Sequence, residues 1–296
     1  MEEKNFVAHL FDAETPLNGV LSHFYQFQTS AKAESIVKHL APNFEMLLVF
    51  NFGPPIRISF NEESPGTATI HRTAAIGPLR KLLNYELQPG TNAIVANFTL
   101  NGFYRLFKLP MNELGAKEVF DPDILIDKTC FSELWEKINV LEDLQERIQL
   151  LSSYTSQFIE PTDAASKPLL DGASYFHNPM IHPVKAIASE TQLTERSIQL
   201  RFQKYAGYSP KELLRFLRFK DIVHHIMNQK DETLNLFDLI HTYGYYDQSH
   251  LIKDFRYFMG TTPQKFLNEL IGKGFCIPKS DHPHFPEKPD FRAKQP

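Results

Sequence analysis

Over the first 127 residues apolar positions come in short runs, and turn-forming residues cut between them. Phe44–Phe50, Ile56–Phe60, Ala93–Phe98 and Phe103–Phe107 are such runs, some unbroken and some alternating with polar residues. Gly53-Pro54-Pro55, Ser64-Pro65-Gly66 and Pro89-Gly90-Thr91-Asn92 punctuate them. That pattern predicts strands joined by turns, and a sandwich or small barrel accommodates it. From about 128 to 160 the period changes. Leu141, Leu144, Ile148 and Leu151 recur at spacings of three and four, and Phe158 follows one heptad later across Thr155. Glu142, Glu146 and Arg147 lie off that face, so the segment predicts an amphipathic helix. Two readings of the stripe stand side by side: a dimerisation helix, or a face packed on its own β-domain. Thr155 breaks the heptad series, and a coiled coil needs a longer one.

The segment Glu160–Pro168 reads as a linker or as the start of the next helix. Helical periods then follow one another to about residue 272. Val184 to Thr191 predict a supporting helix, and Thr194 is placed to cap the next one. On that next helix Ile198, Phe202 and Tyr205 share a side, while Arg196, Gln199, Leu200 and Gln203 fall opposite. Lys211 to about Asn228 reads as one long helix, with Leu213, Leu214, Leu217, Ile222, Val223 and Ile226 on its apolar faces. Leu236, Phe237 and Ile240 supply a second supporting helix. Gly244 allows the positive φ of a turn, Asp247 caps, and Leu251, Phe255 and Phe258 face inward. Gln248, Ser249, Lys253 and Arg256 are left outside. Beyond 272 the chain is rich in Pro, His and charge and reads as a disordered tail.

The two helical stretches repeat one another. Phe202, Gly207, Ser209, Pro210 and Leu213 stand 53 residues before Phe255, Gly260, Thr262, Pro263 and Phe266. In each copy a helix ends at glycine and a Ser-Pro or Thr-Pro pair starts the next, a cap followed by proline at the first helical position. Ser209 and Glu212 add the spacing of a capping box. Two tandem helix-turn-helix units suggest a protein that reads two neighbouring turns of a DNA groove. One face of each second helix must bury, which leaves a polar face outward. Arginine pairs with guanine and glutamine with adenine in the major groove, and Leu200 suits a thymine methyl.

Gly244-Tyr245, Asp247, Ser249-His250-Leu251, Phe255-Arg256, Gly260, Thr262-Pro263 and Phe266 together resemble the second unit of the AraC/XylS family of bacterial transcription regulators. The resemblance covers about residues 160–272. A pattern of that many fixed positions is far more specific than a lone helix-turn-helix. It implies Arg196, Gln199 and Leu200 as the groove-facing set of the first unit, with Gln203 on the same polar face. In the second unit it implies Gln248, Ser249 and Lys253 as base readers, and Arg256 suits a phosphate contact. The sequence departs from the pattern at Lys253, where arginine is common, at Gln192, where the first turn usually has glycine, and at Ile240, which replaces a small residue. The family also implies a cupin-like N-terminal barrel that senses a small molecule.

The expected fold is therefore α+β. A β-rich regulatory domain spans 1–127, a helical linker or dimerisation segment 128–160, an all-α double helix-turn-helix domain 161–272, and a tail 273–296. The expected partner is double-stranded DNA. A small-molecule effector, RNA polymerase and a second copy of the chain are further candidates.

Composition trims the alternatives. The net charge of −4 is not that of a typical nucleic-acid binder, but it is uneven. Residues 172–272 carry 12 Lys/Arg against 10 Asp/Glu, about +2, which leaves about −6 elsewhere. Cys130 and Cys276 stand far apart without a His/Cys cluster, so neither a disulfide framework nor a zinc site is expected. The polar start Met1-Glu2-Glu3-Lys4-Asn5 lacks the features of a secretory signal, and no long apolar run suggests a membrane span. A cytoplasmic protein without cofactor is expected. The rival reading is a cupin-type metal enzyme on the β-domain. Its histidines His9, His23, His39 and His71 are scattered, without the close pair plus carboxylate that metal sites use. No catalytic residue is assigned. A third reading gives the β-domain dimerisation or partner binding in place of sensing. Phe24, Tyr25, Phe27, Phe103 and Tyr104 are candidate pocket residues there, with core packing as their simpler role.

Overall fold

Leu47–Asn51 is buried at every residue, because both faces of its sheet are covered. In the computed structural model, which describes residues 5–13, 17–61, 65–115, 117–162, 164–178, 180–228, 236–270 and 275–276, two sheets face each other. The first has the strand order β1-β2-β9-β4-β7-β10, with β1 Phe6–Asp12, β2 Leu21–Thr29, β4 Leu47–Asn51, β7 Thr73–Ile76, β9 Asn92–Phe98 and β10 Val119–Phe120. The second runs β11-β3-β8-β5-β6, with β3 Ile36–Leu40, β5 Ile56–Phe60, β6 Ala68–Ile70, β8 Leu83–Leu87 and β11 Phe275–Cys276. Successive residues of a strand point to opposite faces. Leu47, Val49, Ala93 and Val95 thus turn toward the second sheet, and Leu48, Phe50, Ile94 and Ala96 turn outward.

The outward face is roofed by four helices, α1 Gly102–Phe107, α2 Pro122–Ile126, α3 Cys130–Asn139 and α4 Leu144–Ser156. Phe103 and Phe107 stack at 4.1 Å, and Phe107 stacks on Phe131 at 5.2 Å. Ile148 and Leu151 are buried in the same cluster, and Trp135 donates from Nε1 to Asn51 O at 2.7 Å. The stripe read between 128 and 160 is therefore broken into two helices, and its buried members pack on their own β-domain. Phe158, at its end, is 41% exposed.

The C-terminal helices are α5 Lys167–Asp171, α6 Pro183–Thr191, α7 Glu195–Ala206, α8 Pro210–Asn228, α9 Leu236–Tyr243, α10 Gln248–Met259 and α11 Pro263–Lys265. They share one apolar cluster, and two residues of the β-domain, Phe44 and Leu82, belong to it. The sequence reading left these out of the helical core. Polar contacts join the same junction. Leu82 N donates to Phe258 O at 2.7 Å and Asn61 Nδ2 to Tyr257 O at 2.8 Å, while Arg80 donates to Gly207 O. The linker is also held: Asn101 Nδ2 donates to the buried Ser166 Oγ at 3.2 Å, and Arg201 to Ala165 O at 2.8 Å.

The tail differs from its expected disorder at Phe275–Cys276, which pairs parallel with β3. An edge strand offers a free row of backbone groups, and two residues suffice to use part of it. The remainder of the expected tail, 273–274 and 277–296, lies outside the described residues, as do Ser64 of the second expected turn and the first four residues.

Candidate nucleic-acid interface

The first unit is built by its caps. Thr194 Oγ1 accepts from Ser197 N at 3.1 Å and starts α7. Gln192 holds φ at 56°, the left-handed value that the preceding turn requires, where glycine would be without strain. From there Ile198, Phe202 and Tyr205 are each 0–2% exposed. Arg196, Leu200 and Gln203 stand in solvent on the opposite face, and Gln199 is half-buried. Leu200, an apolar side chain 48% exposed in the middle of that face, has no core to fill.

The second unit repeats the construction. Gly244 takes φ 65° in the turn, and Asp247 Oδ1 accepts from His250 N at 2.9 Å to start α10. That hydrogen bond and the His250 ring hold the Asp247 carboxyl below its usual value. Leu251, Phe255 and Phe258 are buried to 1% or less. Gln248, Ser249, Lys253 and Arg256 are exposed. The supporting helix differs from the reading in one respect. Leu236 and Ile240 pack against the core as read, but Phe237 is 84% exposed, and Leu239, on the inward face between them, supplies the buried contact at 1%.

Both outer helices share one apolar cluster with α8, which lies between the two units in the chain. Its own start carries the capping box read in the sequence: Glu212 N donates to Ser209 Oγ at 3.2 Å and Ser209 N to Glu212 Oε2 at 2.8 Å. Phe219 of α8 meets Phe255 edge-on at 4.9 Å and stacks on Phe258 at 4.7 Å. A charged clamp lies beside these rings. Arg215 reaches Asp254 Oδ1 with Nε at 2.8 Å and a terminal nitrogen at 2.7 Å, and Tyr245 donates to Asp254 Oδ2 at 2.7 Å. Burial and the Asp254 carboxylate push the Tyr245 hydroxyl well above its ordinary value, so it stays a donor. A fork-on-carboxylate pair fixes direction as well as distance. The sequence reading missed Asp254 and Arg215. Their spacing of 39 residues holds no local signal.

Arg218 of α8 donates to Gly244 O at 3.2 Å and lies over the Tyr245 ring at 5.1 Å. It holds the second turn. Among the described residues no group of three or more His, Cys, Asp or Glu comes together as a metal site. His39 Nδ1 instead lies 2.6 Å from Asn84 Oδ1, and His23 lines the space between the sheets.

Two capped helices with exposed polar faces, joined through one apolar core with a long helix between them, define a DNA-binding protein of the paired helix-turn-helix class. The sequence profile of a family described as a helix-turn-helix domain matches residues 187–269. That domain is of the AraC type, and the chain is a DNA-binding transcription regulator. Among solved structures, ToxT from Vibrio cholerae O395 is similar at 12% identity and a TM-score of 0.37, over 91% of this chain and 99% of that one. An unsaturated fatty acid-bound wild-type ToxT from Vibrio cholerae strain SCE256 gives 12% identity and a TM-score of 0.36, over 89% and 95%. The AraC-like transcriptional activator CuxR gives 11% and 0.32, over 75% and 83%. The chain has no significant match among curated proteins. Among the described residues no helix is long and apolar enough to cross a membrane.

Proposed function

We propose that the two outer helices enter successive major grooves from one side of the duplex, under control of the β-domain. The observation that carries this reading is that α7, α8 and α10 share one apolar core. Fixed separation is what two grooves about 34 Å apart demand. Arg196, Gln199, Leu200 and Gln203 read the first half-site; Gln248, Ser249 and Lys253 read the second, and Arg256 meets phosphate. Phosphate contacts set most of the affinity and base contacts the specificity. The division of labour follows 1–127, 128–160 and 161–272, and the protein performs no catalysis.

The β-domain supports a regulatory role through the cavity of about 510 Å³ between its sheets. Protein interiors rarely leave voids larger than a water, and ligand pockets begin at roughly 300 Å³. Tyr25 and Phe27, two of the aromatic candidates, line it, whereas Phe24 and Phe103 fill the outer core and Tyr104 packs edge-on to Tyr205 at 4.7 Å.

The test uses a duplex selected from random sequence by the full-length chain. Inserting half a helical turn, about five base pairs, between its half-sites puts them on opposite sides of the DNA. Binding is expected to fall to the affinity of a single half-site. Unchanged affinity would mean that only one helix reads DNA.

A further inference from the structure

We infer that an uncharged, largely apolar small molecule in the cavity between the sheets is sensed at the second recognition helix, through Phe275 and the strand ends beside it. This rests on the regulatory reading of that cavity. None of the residues lining it is Asp, Glu, Lys or Arg. Leu47, Val49, Ile58 and Val95 make up much of the wall, and His23 and Asn97 supply polar groups at one rung. A charged ligand would lose its hydration there without an opposite charge to meet it. An apolar ligand with one or two hydrogen-bonding groups meets no such cost.

The cavity wall reaches the DNA-binding domain by two routes at the same end. In the second sheet Leu40, Leu83 and Phe60 form one rung through the pairings Leu40↔Leu83 and Phe60↔Leu83. The next residues in the chain, Leu82 and Asn61, hold the carbonyls of Phe258 and Tyr257 at the end of α10. The second route is Phe275. Its strand extends the same rung through Cys276↔Leu40, and Phe275 is among the residues that line the cavity. Its ring meets Phe266 edge-on at 5.1 Å. Phe266 is fully buried and packs on Phe255 of α10 at 5.8 Å. One residue from beyond the helix-turn-helix domain thus touches both the cavity and the core under the second recognition helix. Packed cores respond to displacement by repacking rather than by gradual deformation, so a ligand that pushes Phe275 moves Phe266.

The experiment follows hydrogen exchange of the full-length chain with and without N-phenyl-1-naphthylamine, an uncharged apolar fluorophore. Binding is expected to slow exchange several-fold in 36–40 and 83–87 and to change it in 255–270. In Phe275→Leu, which keeps an apolar wall but lacks the ring, the strands should still respond while the effect at 255–270 falls at least threefold. Strands that respond while 255–270 does not, in the wild-type chain, would overturn the coupling and leave the cavity's role intact. An undiminished effect at 255–270 in Phe275→Leu would remove Phe275 from the route. Val95→Phe and Ile58→Phe, which fill the cavity, should each weaken fluorophore binding at least tenfold. If folded forms of both bind it as the wild type does, the cavity is not the site and the effector reading fails with the coupling.

Discussion

The ring of Phe44, a residue of the β-domain, stacks on Phe216 of α8 at 4.4 Å, in the core of the DNA-binding domain. Phe44 meets Tyr208 edge-on at 4.9 Å as well. Its backbone sits at φ 62°, a conformation costly for an aromatic residue. Hydrogen bonds from Asn43 N and Phe44 N to Leu79 O, at 3.1 and 3.0 Å, hold the bend. The strain is borne where one domain inserts a side chain into the other, so regulation has a rigid junction through which to act.

Phe44→Ala is expected to cost about 3–5 kcal/mol, the range for removing a buried phenyl ring. Because the ring bridges two domains, calorimetry is expected to show one unfolding transition for the wild-type chain and a broadened or split one for the variant. A small loss with the transition unchanged would mean that the junction is not cooperative.

Glu45, the next residue, gives a pH dependence. It is 7% exposed, and burial pushes its carboxyl from 4.5 up to about 8, against the pull of Lys220. Tyr208, beside it, is raised by burial first and by Glu45 second. The folded chain therefore holds the Glu45 proton more tightly than the unfolded chain. This stabilisation is complete below about pH 4.5 and is lost as the pH rises toward about 8. Unfolding free energies from urea titrations should fall between about pH 5.5 and about pH 8.5 by an amount on the order of 2–4 kcal/mol. In Glu45→Gln the slope over that window should flatten; an unchanged slope would assign it to another group.

The recognition helices should separate by kind of contact. Alanine at Arg196, Gln199 or Gln248 is expected to weaken the selected duplex by about 1–3 kcal/mol and to relax preference at one base. Arg256→Ala should weaken selected and scrambled duplexes alike and lower the slope of log K against log salt by about one. Arg218→Ala should leave that slope unchanged, since its guanidinium is spent on the Gly244 carbonyl. Titrations at several salt concentrations distinguish these outcomes, and Lys253 can be sorted by the same pair of duplexes.

Asp254→Ala tests the clamp under the second helix. Removing the carboxylate leaves Arg215 and the Tyr245 hydroxyl without their acceptor. Breaking a partly buried pair on one side is expected to cost about 2–4 kcal/mol. Affinity for the second half-site should fall at least tenfold while the first keeps its preference. Equal loss at both would show a general loss of fold instead.

The sequence by itself determined most elements and their faces, though Phe103–Phe107, read as a strand, forms helix α1 with Phe103 and Phe107 packed in the outer core. Caps such as Thr194, Ser209, Asp247 and Thr262 act over three residues. The spacing of Ile198, Phe202 and Tyr205 likewise depends only on the helical period, and both survive in the structure because they are local. The repeat at 53 residues carried the paired units for the same reason. What lay beyond reach was pairing at a distance. Phe44 with Phe216, Arg215 with Asp254 and Phe275 with both the cavity and Phe266 join positions whose separation in the chain carries no period. Phe237 shows the limit of pattern even within a helix, because its burial depends on which face meets the core, and that face is formed by Leu236, Leu239 and Ile240. The tail showed it again at Phe275. Its composition promised no structure, yet the free edge of β3 gave its backbone a partner. Local chemistry chose most of the secondary structure and the polar faces; only the meeting of the two domains decided which side chains join them.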